Sequence, residues 1–240
     1  MVAPNNRVEL IPWDPENDKQ FQRVKDQQSG LGWFKPTAPL WKDEQLQGVR
    51  TVFWIAIADT EVNQKSLVDK HVAKFPAERE PISDTATTIG GAPRNPTYKA
   101  FTPVGHVALR ASPPSDSTKL GLPPSSLRLV SFYVSWALQG TGIGAGAISQ
   151  LDRVAASVPF NAAAISLECI TKEFQMQEVY LEIIYDKNGQ PRPTQSNVEW
   201  YSKRGFTVID GSEFQVPSES PVIAEMLPIV SLVHMQKRLR

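Results

Sequence analysis

The sequence predicts an α/β fold built on one dominant sheet, and three observations carry that expectation. Continuous runs of β-branched and aromatic residues, such as TVFWIAIA (51–58) and LRLVSFYVSW (127–136), have strand length and strand composition. Segments with a 3.6-residue apolar period alternate with them. A glycine cluster at 140, 142, 144 and 146 joins the second of those runs to such a helix. Read through, the order is strand, helices, three strands, helix, strand, helix, strand, strand.

RVELIPW (7–13) alternates like a short strand. DPENDKQFQRVKDQQ (14–28) follows as a polar helix with Asp14 as N-cap and Pro15 in its first position, broken by SGLGWFKPTAP. Residues 40–48 form a second short helix, and 51–58 a strand buried on both faces. Residues 60–102 lack a convincing strand and are rich in turn formers, so they read as an insertion with helix only near 61–74. VGHVALR (104–110) is a strand. Four prolines make 111–126 an irregular loop and a second insertion. After the strand at 127–136, Ile143, Ala147, Leu151, Val154 and Val158 line one face of a helix. AAAISLE (162–168) is a strand. TKEFQMQEVYLEIIYD fits helix or strand, with helix preferred because Thr171 followed by Glu173 opens it like a cap. Residues 195–210 are a short helix, a stop at Gly205 and a strand, and 229–239 closes the chain as a strand.

The bulk numbers exclude several classes. With 240 residues the chain suits one large domain or two small ones. Twenty-five basic residues balance twenty-five acidic ones, so no global field favours nucleic acid or an anionic membrane. The basic cluster Lys237, Arg238 and Arg240 reads as a solvated terminus. One cysteine, Cys169 in an apolar stretch, excludes an intramolecular disulfide and a multi-cysteine zinc site, and no metal is expected. No apolar run approaches the ~20 residues that span a bilayer. A cytoplasmic protein is expected, with the nucleus open.

Strand, glycine loop and helix form the unit in which backbone N–H groups at a helix N-terminus hold an anion. A tight connection needing positive φ would require a single glycine; four at alternating positions point to close ligand approach. A P-loop is excluded because no Lys-Ser or Lys-Thr follows. Gly140-x-Gly142-x-x-Ala145 loosely matches a dinucleotide fingerprint, but the strand lies past mid-chain and no second βαβ unit follows.

Counted from Gln139, the same stretch reads Gln139-x-x-Gly142-x-Gly144, which resembles the Gln/Arg-x-x-Gly-x-Gly/Ala signature of the GNAT superfamily of N-acetyltransferases. Sixty residues on, WYSKRGF (200–206) resembles the Tyr-x-x-x-Gly-Phe of the same fold. Together the two segments look especially like a group of fungal GNAT-like proteins. The resemblance implies a single GNAT domain over 1–240, with insertions at about 60–102 and 111–126. It also implies a mixed, mostly antiparallel central sheet flanked by helices.

The resemblance implies further that the backbone of Phe132, Tyr133 and Val134 pairs with the pantetheine arm of acetyl-CoA. The pyrophosphate would rest on the amides of Gln139, Gly140, Thr141, Gly142, Ile143 and Gly144. Gln139 stands where arginine is more common, which removes a charge but leaves the amides. The reaction implied is direct acetyl transfer to an amine in a ternary complex, with Tyr201 as general acid for the leaving thiolate. A phenol suits that role because its pKa lies above that of a thiol.

The base is open. Family members often carry a glutamate on the strand before the loop, and this chain has none there. Glu168, His106 or a water chain are the candidates, although a lone strand histidine also serves as a satisfied core residue. Asn197 lies too close to Tyr201 for the family's asparagine contact to be transferred. Trp33, Phe34, Trp41 and Trp54 either line an acceptor pocket or form core. The partner expected is a small-molecule or peptide amine, bound by a monomer or homodimer. A non-catalytic CoA-binding module is the alternative, and an NAD(P)-dependent oxidoreductase the third reading.

Overall fold

The computed structural model describes residues 7–31 and 37–239. Strand β1 (Val8–Pro12) pairs antiparallel with β2 (Arg50–Ile57). Every residue of β2 is buried, as an unbroken apolar run with cover on both faces requires. Helix α1 (Asp18–Leu31) starts later than the sequence predicts. Asp14 instead makes a turn, its carboxylate accepting the Glu16 N–H, and Asn17 Oδ1 accepts the Gln20 N–H as a cap does. Helix α2 is Ala38–Leu46. Trp41 and Trp54 join Ile11, Trp13 and Val24 in one core cluster, so both are core rather than pocket lining. Trp33 and Phe34 lie outside the described residues.

The 60–102 segment is more structured than its composition predicts. Helix α3 (Gln64–Lys74) falls within the expected range, followed by a 3-10 turn at Pro76–Glu78. Then come four two-residue strands: β3 (Ile82–Ser83), β4 (Thr88–Ile89), β5 (Ala92–Pro93) and β6 (Ala100–Phe101). β3 pairs with β6 and β4 with β5. Ile82 and Phe101 enter the Trp54 core cluster. Asp84, 2 % exposed, gathers the enclosed loop. It accepts from two Arg94 amino groups at 2.6 and 2.8 Å and from the Thr97 hydroxyl and amide at 2.7 and 3.0 Å.

Burial raises the Asp84 pKa, but the Arg94 and Thr97 bonds outweigh it and hold the carboxyl below the ordinary value. A group depressed in the fold contributes stability that is present above its unfolded pKa, about 3.9 for Asp, and lost as pH falls through the folded value. Hydrogen exchange over 82–101, corrected for intrinsic rates, is therefore expected to stay slow at pH 5 and to accelerate below about pH 4. Asp84→Ala should show the fast exchange at neutral pH. Protection that survives both changes would refute this role for Asp84.

Strand β7 (Pro103–Ala111) pairs antiparallel with β2, with a register shift between Ile55 and Ala56. The 111–126 loop carries an unpredicted helix, α4 (Pro114–Lys119), with a proline at its start and Asp116 in its first turn. Strand β8 (Ser126–Val134) runs to a 3-10 turn at Trp136–Leu138 and then α5 (Ile143–Ala156). Ile143, Ala147 and Leu151 are buried as predicted. Ile148 and Ala155 complete the buried face, whereas Val158 lies beyond the helix end and is 81 % exposed.

Strand β9 (Ala164–Ile170) holds Cys169 in the core, where burial pushes its thiol up to about 12. The helix predicted after Thr171 is split into α6 (Lys172–Gln175) and α7 (Glu178–Ile184); Thr171 caps the first, accepting the Phe174 N–H. Helix α8 (Asn197–Ser202) leads through Gly205 to β10 (Thr207–Val208). Neither β11 (Phe214–Pro217) nor α9 (Pro221–Ala224) was legible in the sequence. β12 (Ile229–Arg238) ends the fold.

Two compact units result, residues 7–31, 37–111 and 129–162 in one and 112–128 with 163–239 in the other. In the first the hydrogen-bonded order is β1-β2-β7-β8. In the second it is β8-β9-β12-β10, with β11 also on β12. Ser126–Arg128 of β8 runs parallel to Ala164–Ser166 of β9, whereas β10, β11 and β9 all run antiparallel to β12. Mixed, mostly antiparallel pairing flanked by helices is the architecture the sequence predicts.

Candidate functional site

In the first unit, β8 delivers the chain to the glycine loop. Ser131 sits mid-strand at φ 53°, a left-handed conformation that breaks the pleat of β8 and re-aims the following residues. Its hydroxyl accepts from Arg50 Nη1 at 2.9 Å. The strand ends where the Ser135 N–H donates to Val104 O at 2.8 Å. The loop then closes on itself: the Leu138 N–H donates to Ser135 O, and the Thr141 hydroxyl to Leu138 O at 2.6 Å.

Gly142 occupies the N-cap of α5 at φ 87°, and no side chain caps the helix. The Gly146 N–H already bonds to Gly142 O. The amides of Ile143, Gly144 and Ala145 have no acceptor among the described residues. Four groups of the predicted cradle thus have distinct parts. Gln139 and Gly140 are exposed, Ile143 is anchored in the core by its side chain, and Gly144 lies in the first helical turn. An uncapped helix N-terminus with a left-handed residue before it is a concave set of donors for an anion.

Beneath β8 lies a buried polar cluster that sequence reading did not foresee. Glu78 is 3 % exposed and accepts from Gln27 Nε2 at 2.8 Å, with His71 Nε2 facing it at 3.4 Å. His71 Nδ1 meets Ser135 Oγ at 2.8 Å. Since the Gln27 amide nitrogen donates to Glu78, its oxygen accepts from His106 Nδ1–H, at 2.8 Å. The Tyr133 hydroxyl is buried without a partner among the described residues, and burial, then the charge of Glu78, push its pKa up. These groups bind α1, α3, the Pro76–Glu78 turn and β7 to Ser135, the residue at which strand becomes loop. No local motif links residues 27, 71, 78, 106 and 135.

His106 is corrected by this arrangement. It is 1 % exposed, wedged between the rings of Trp41 and Tyr133, and burial lowers its pKa to about 3, assisted by Arg50. An imidazole so placed is a satisfied core histidine, not a base that meets an ammonium. A cavity of about 280 Å³ is lined by Glu9, Asp59, Asp69, Lys65, Lys99 and Phe101, among others. Its carboxylates are already committed: Lys99 reaches Glu9 and Asp59, and Lys65 reaches Asp69.

In the second unit, Tyr201 stands on α8. A capping box between Ser196 and Glu199 starts that helix, and Lys172 pairs with Glu199 at 2.7 Å. Lys172 first, then Ser196, hold the Glu199 carboxyl down to about 2. The Tyr201 ring packs edge-on against Trp200 and Phe206 at 5.0 and 5.5 Å. Burial, then the neighbouring Cys169, push its phenol up. Glu168 is not a free carboxylate: Arg128 Nη1 holds it at 2.9 Å, and Arg128 also holds Asp116. The Asn197 N–H donates to Gln175 Oε1, a structural contact.

Among the described residues no helix is long and apolar enough to cross a membrane, and no three His, Cys, Asp or Glu side chains are grouped to hold a metal. No protein-family model matches the chain, and no curated protein sequence does. Solved structures do. NAA60 of Arabidopsis thaliana, in complex with acetyl-CoA, superposes with a TM-score of 0.53 at 8 % identity, covering 96 % of this chain and 98 % of that one. A spermidine N-acetyltransferase chimera of Vibrio cholerae SpeG and hSSAT gives 0.51 at 11 % identity, covering 97 % and 96 %. At such identities the likeness is one of fold.

Proposed function

With the GNAT fold as premise, we propose that this protein is an acetyl-CoA-dependent N-acetyltransferase acting on a small-molecule or peptide amine. The uncapped N-terminus of α5 behind a left-handed Gly142 is the observation that carries the reading. A pyrophosphate is the ligand group whose charge suits several convergent amides without a lysine. Two superposed neighbours support it, one crystallised with acetyl-CoA and the other a spermidine N-acetyltransferase. Because both superpose over nearly the whole chain, we take residues 1–240 as one acetyltransferase domain with insertions at about 60–102 and 111–126.

When bound, acetyl-CoA supplies an activated thioester to an amine held beside it in a ternary complex. The chain's part is to hold the pyrophosphate on the amides of Gly140, Gly142, Ile143 and Gly144, which have no acceptor among the described residues, and to lay the arm along Phe132–Val134. The predicted amides of Gln139 and Thr141 are instead taken by Trp136 O and Leu138 O. In this reading Tyr201 is the proton donor to the departing thiolate; burial raises its pKa, which keeps the phenol protonated at neutral pH. With His106 internal and Glu168 ion-paired, water carries away the proton of the acceptor ammonium.

Thermal unfolding with acetyl-CoA, CoA and NADH tests the binding half. A ligand at 100 times its Kd adds about 2.7 kcal/mol. Stabilisation by both CoA species is expected; a shift with NADH alone would return the loop to the dinucleotide reading. Thiol release against a panel of amines tests turnover, and Tyr201→Phe should lower kcat about 100-fold with CoA affinity unchanged. The want of a free base favours one other reading, a CoA-binding module without turnover, which CoA stabilisation with no thiol release from any amine would establish.

A further inference from the structure

Between Arg128 and Arg153 the sequence has no lysine or arginine, so the glycine loop brings no cation of its own. The structure brings one from 134 residues away. Arg7, just ahead of β1, is fixed by its own carbonyl, which accepts the Ala58 N–H at 3.0 Å. Its guanidinium Nη1 donates to the carbonyl of Thr141, and its Nε donates to Glu61 Oε2 at 2.7 Å. One end of it also comes close to the loop: a Cβ on Gly142 would stand 2.7 Å from Nη1. Nη2 has no partner among the described residues, and the side chain is 22 % exposed.

The Thr141 carbonyl and the Gly142 N–H belong to one trans peptide unit and point in opposite directions. An arginine that draws the carbonyl to one side therefore aims and polarises the N–H on the other. We infer that Arg7 is the cationic positioning residue of the cradle, fixing the Thr141–Gly142 peptide and polarising it toward the ligand, with Glu61 as its counter-ion. This rests on the acetyl-CoA reading above. Arg7 brings a cation to the loop from just ahead of β1, in a chain where Gln139 stands in place of the more common arginine.

Calorimetric titration of CoA and of pantetheine, which has the same arm without the pyrophosphate, tests it in the full chain. Arg7→Met should weaken CoA about 10-fold or more, leave pantetheine within about twofold, and flatten the salt dependence of the CoA Kd. Arg7→Lys should fall between, since lysine keeps the charge but not the two-point fork. Glu61→Gln should bind CoA at least as tightly as the parent protein. If the parent fails to bind CoA, the functional reading fails before the arginine is at issue. Given parental binding, a CoA affinity unchanged in Arg7→Met, or an equal loss for CoA and pantetheine, overturns the inference. Should Arg7→Met not fold, Arg7→Lys and Glu61→Gln decide: CoA weakened as much by Glu61→Gln as by Arg7→Lys would make the pair a purely structural clasp.

Discussion

Gly142→Val is expected to raise the Kd for CoA by about 100-fold or more, which corresponds to about 2.7 kcal/mol. Two costs combine at this position. At φ 87° a β-branched residue is a steric outlier, and holding it there costs about 1–3 kcal/mol. In addition, its Cβ would meet the Arg7 guanidinium at 2.7 Å and drive it off Thr141. The chain then either rotates the Thr141–Gly142 peptide or loses the clasp, and in both cases the amides no longer converge. Fluorescence titration of CoA measures the loss. The fold itself should survive, because Gly142 is exposed and Ile143 still anchors the helix. Binding within about threefold of the parent would remove the loop from the site, and with it the central support for the acetyltransferase reading. Gly144→Val should be milder in backbone terms, as residue 144 is already helical, so any loss there reports contact with the ligand.

Among the glycines of the described residues, Gly105 is the one at which substitution by alanine, Gly105→Ala, should be strongly destabilising. The glycine lies on β7, next to the register shift against β2, and its missing Cβ would stand 2.1 Å from Tyr133 O and 3.0 Å from the Val134 Cα. Both contacts are backbone, so no rotamer change relieves them. β7 and β8 must part instead, at the point where β8 leads into Ser135 and the loop. A loss of about 3 kcal/mol or more is expected, which for a chain of this size lowers Tm by roughly 6–12 °C. Differential scanning calorimetry reads this directly. A drop under about 2 °C would mean that the two strands are not held as closely as the structure shows. Because the strain falls on Tyr133 and Val134, the same variant should also bind CoA more weakly than its residual stability accounts for.

Asp84 turns the turn-rich segment 82–101 into a cross-linked one, and Glu78 and His71 carry the preceding residues into the core under Ser135. Ser135, the residue at which β8 gives way to the glycine loop, therefore rests on contacts from the 60–102 segment.

By itself the sequence determined what depends on neighbours a few residues apart. The strands β2, β7, β8, β9 and β12 follow from runs of β-branched and aromatic residues, and α5 from its period. The glycine-led, uncapped start of α5 follows from strand, glycine and helix in succession, because its free donors are backbone groups. The capping of α6 by Thr171 is local for the same reason. Short elements such as α4, α9 and β11 escaped because a few residues carry too little periodic signal, and α1 was displaced because Asp14, Pro15 and Asn17 all carry start signals within one turn.

Only the tertiary structure decided which side chains meet. It sent His106 into the core against Gln27, tied Glu168 to Arg128, and set Arg7 on the carbonyl of Thr141. Spacing along a chain encodes the period of a helix or strand, but it does not encode which residues face one another across 79 or 134 positions. A glycine loop and its backbone donors can therefore be read from a sequence, while the side chains set against them become visible only once the chain has folded.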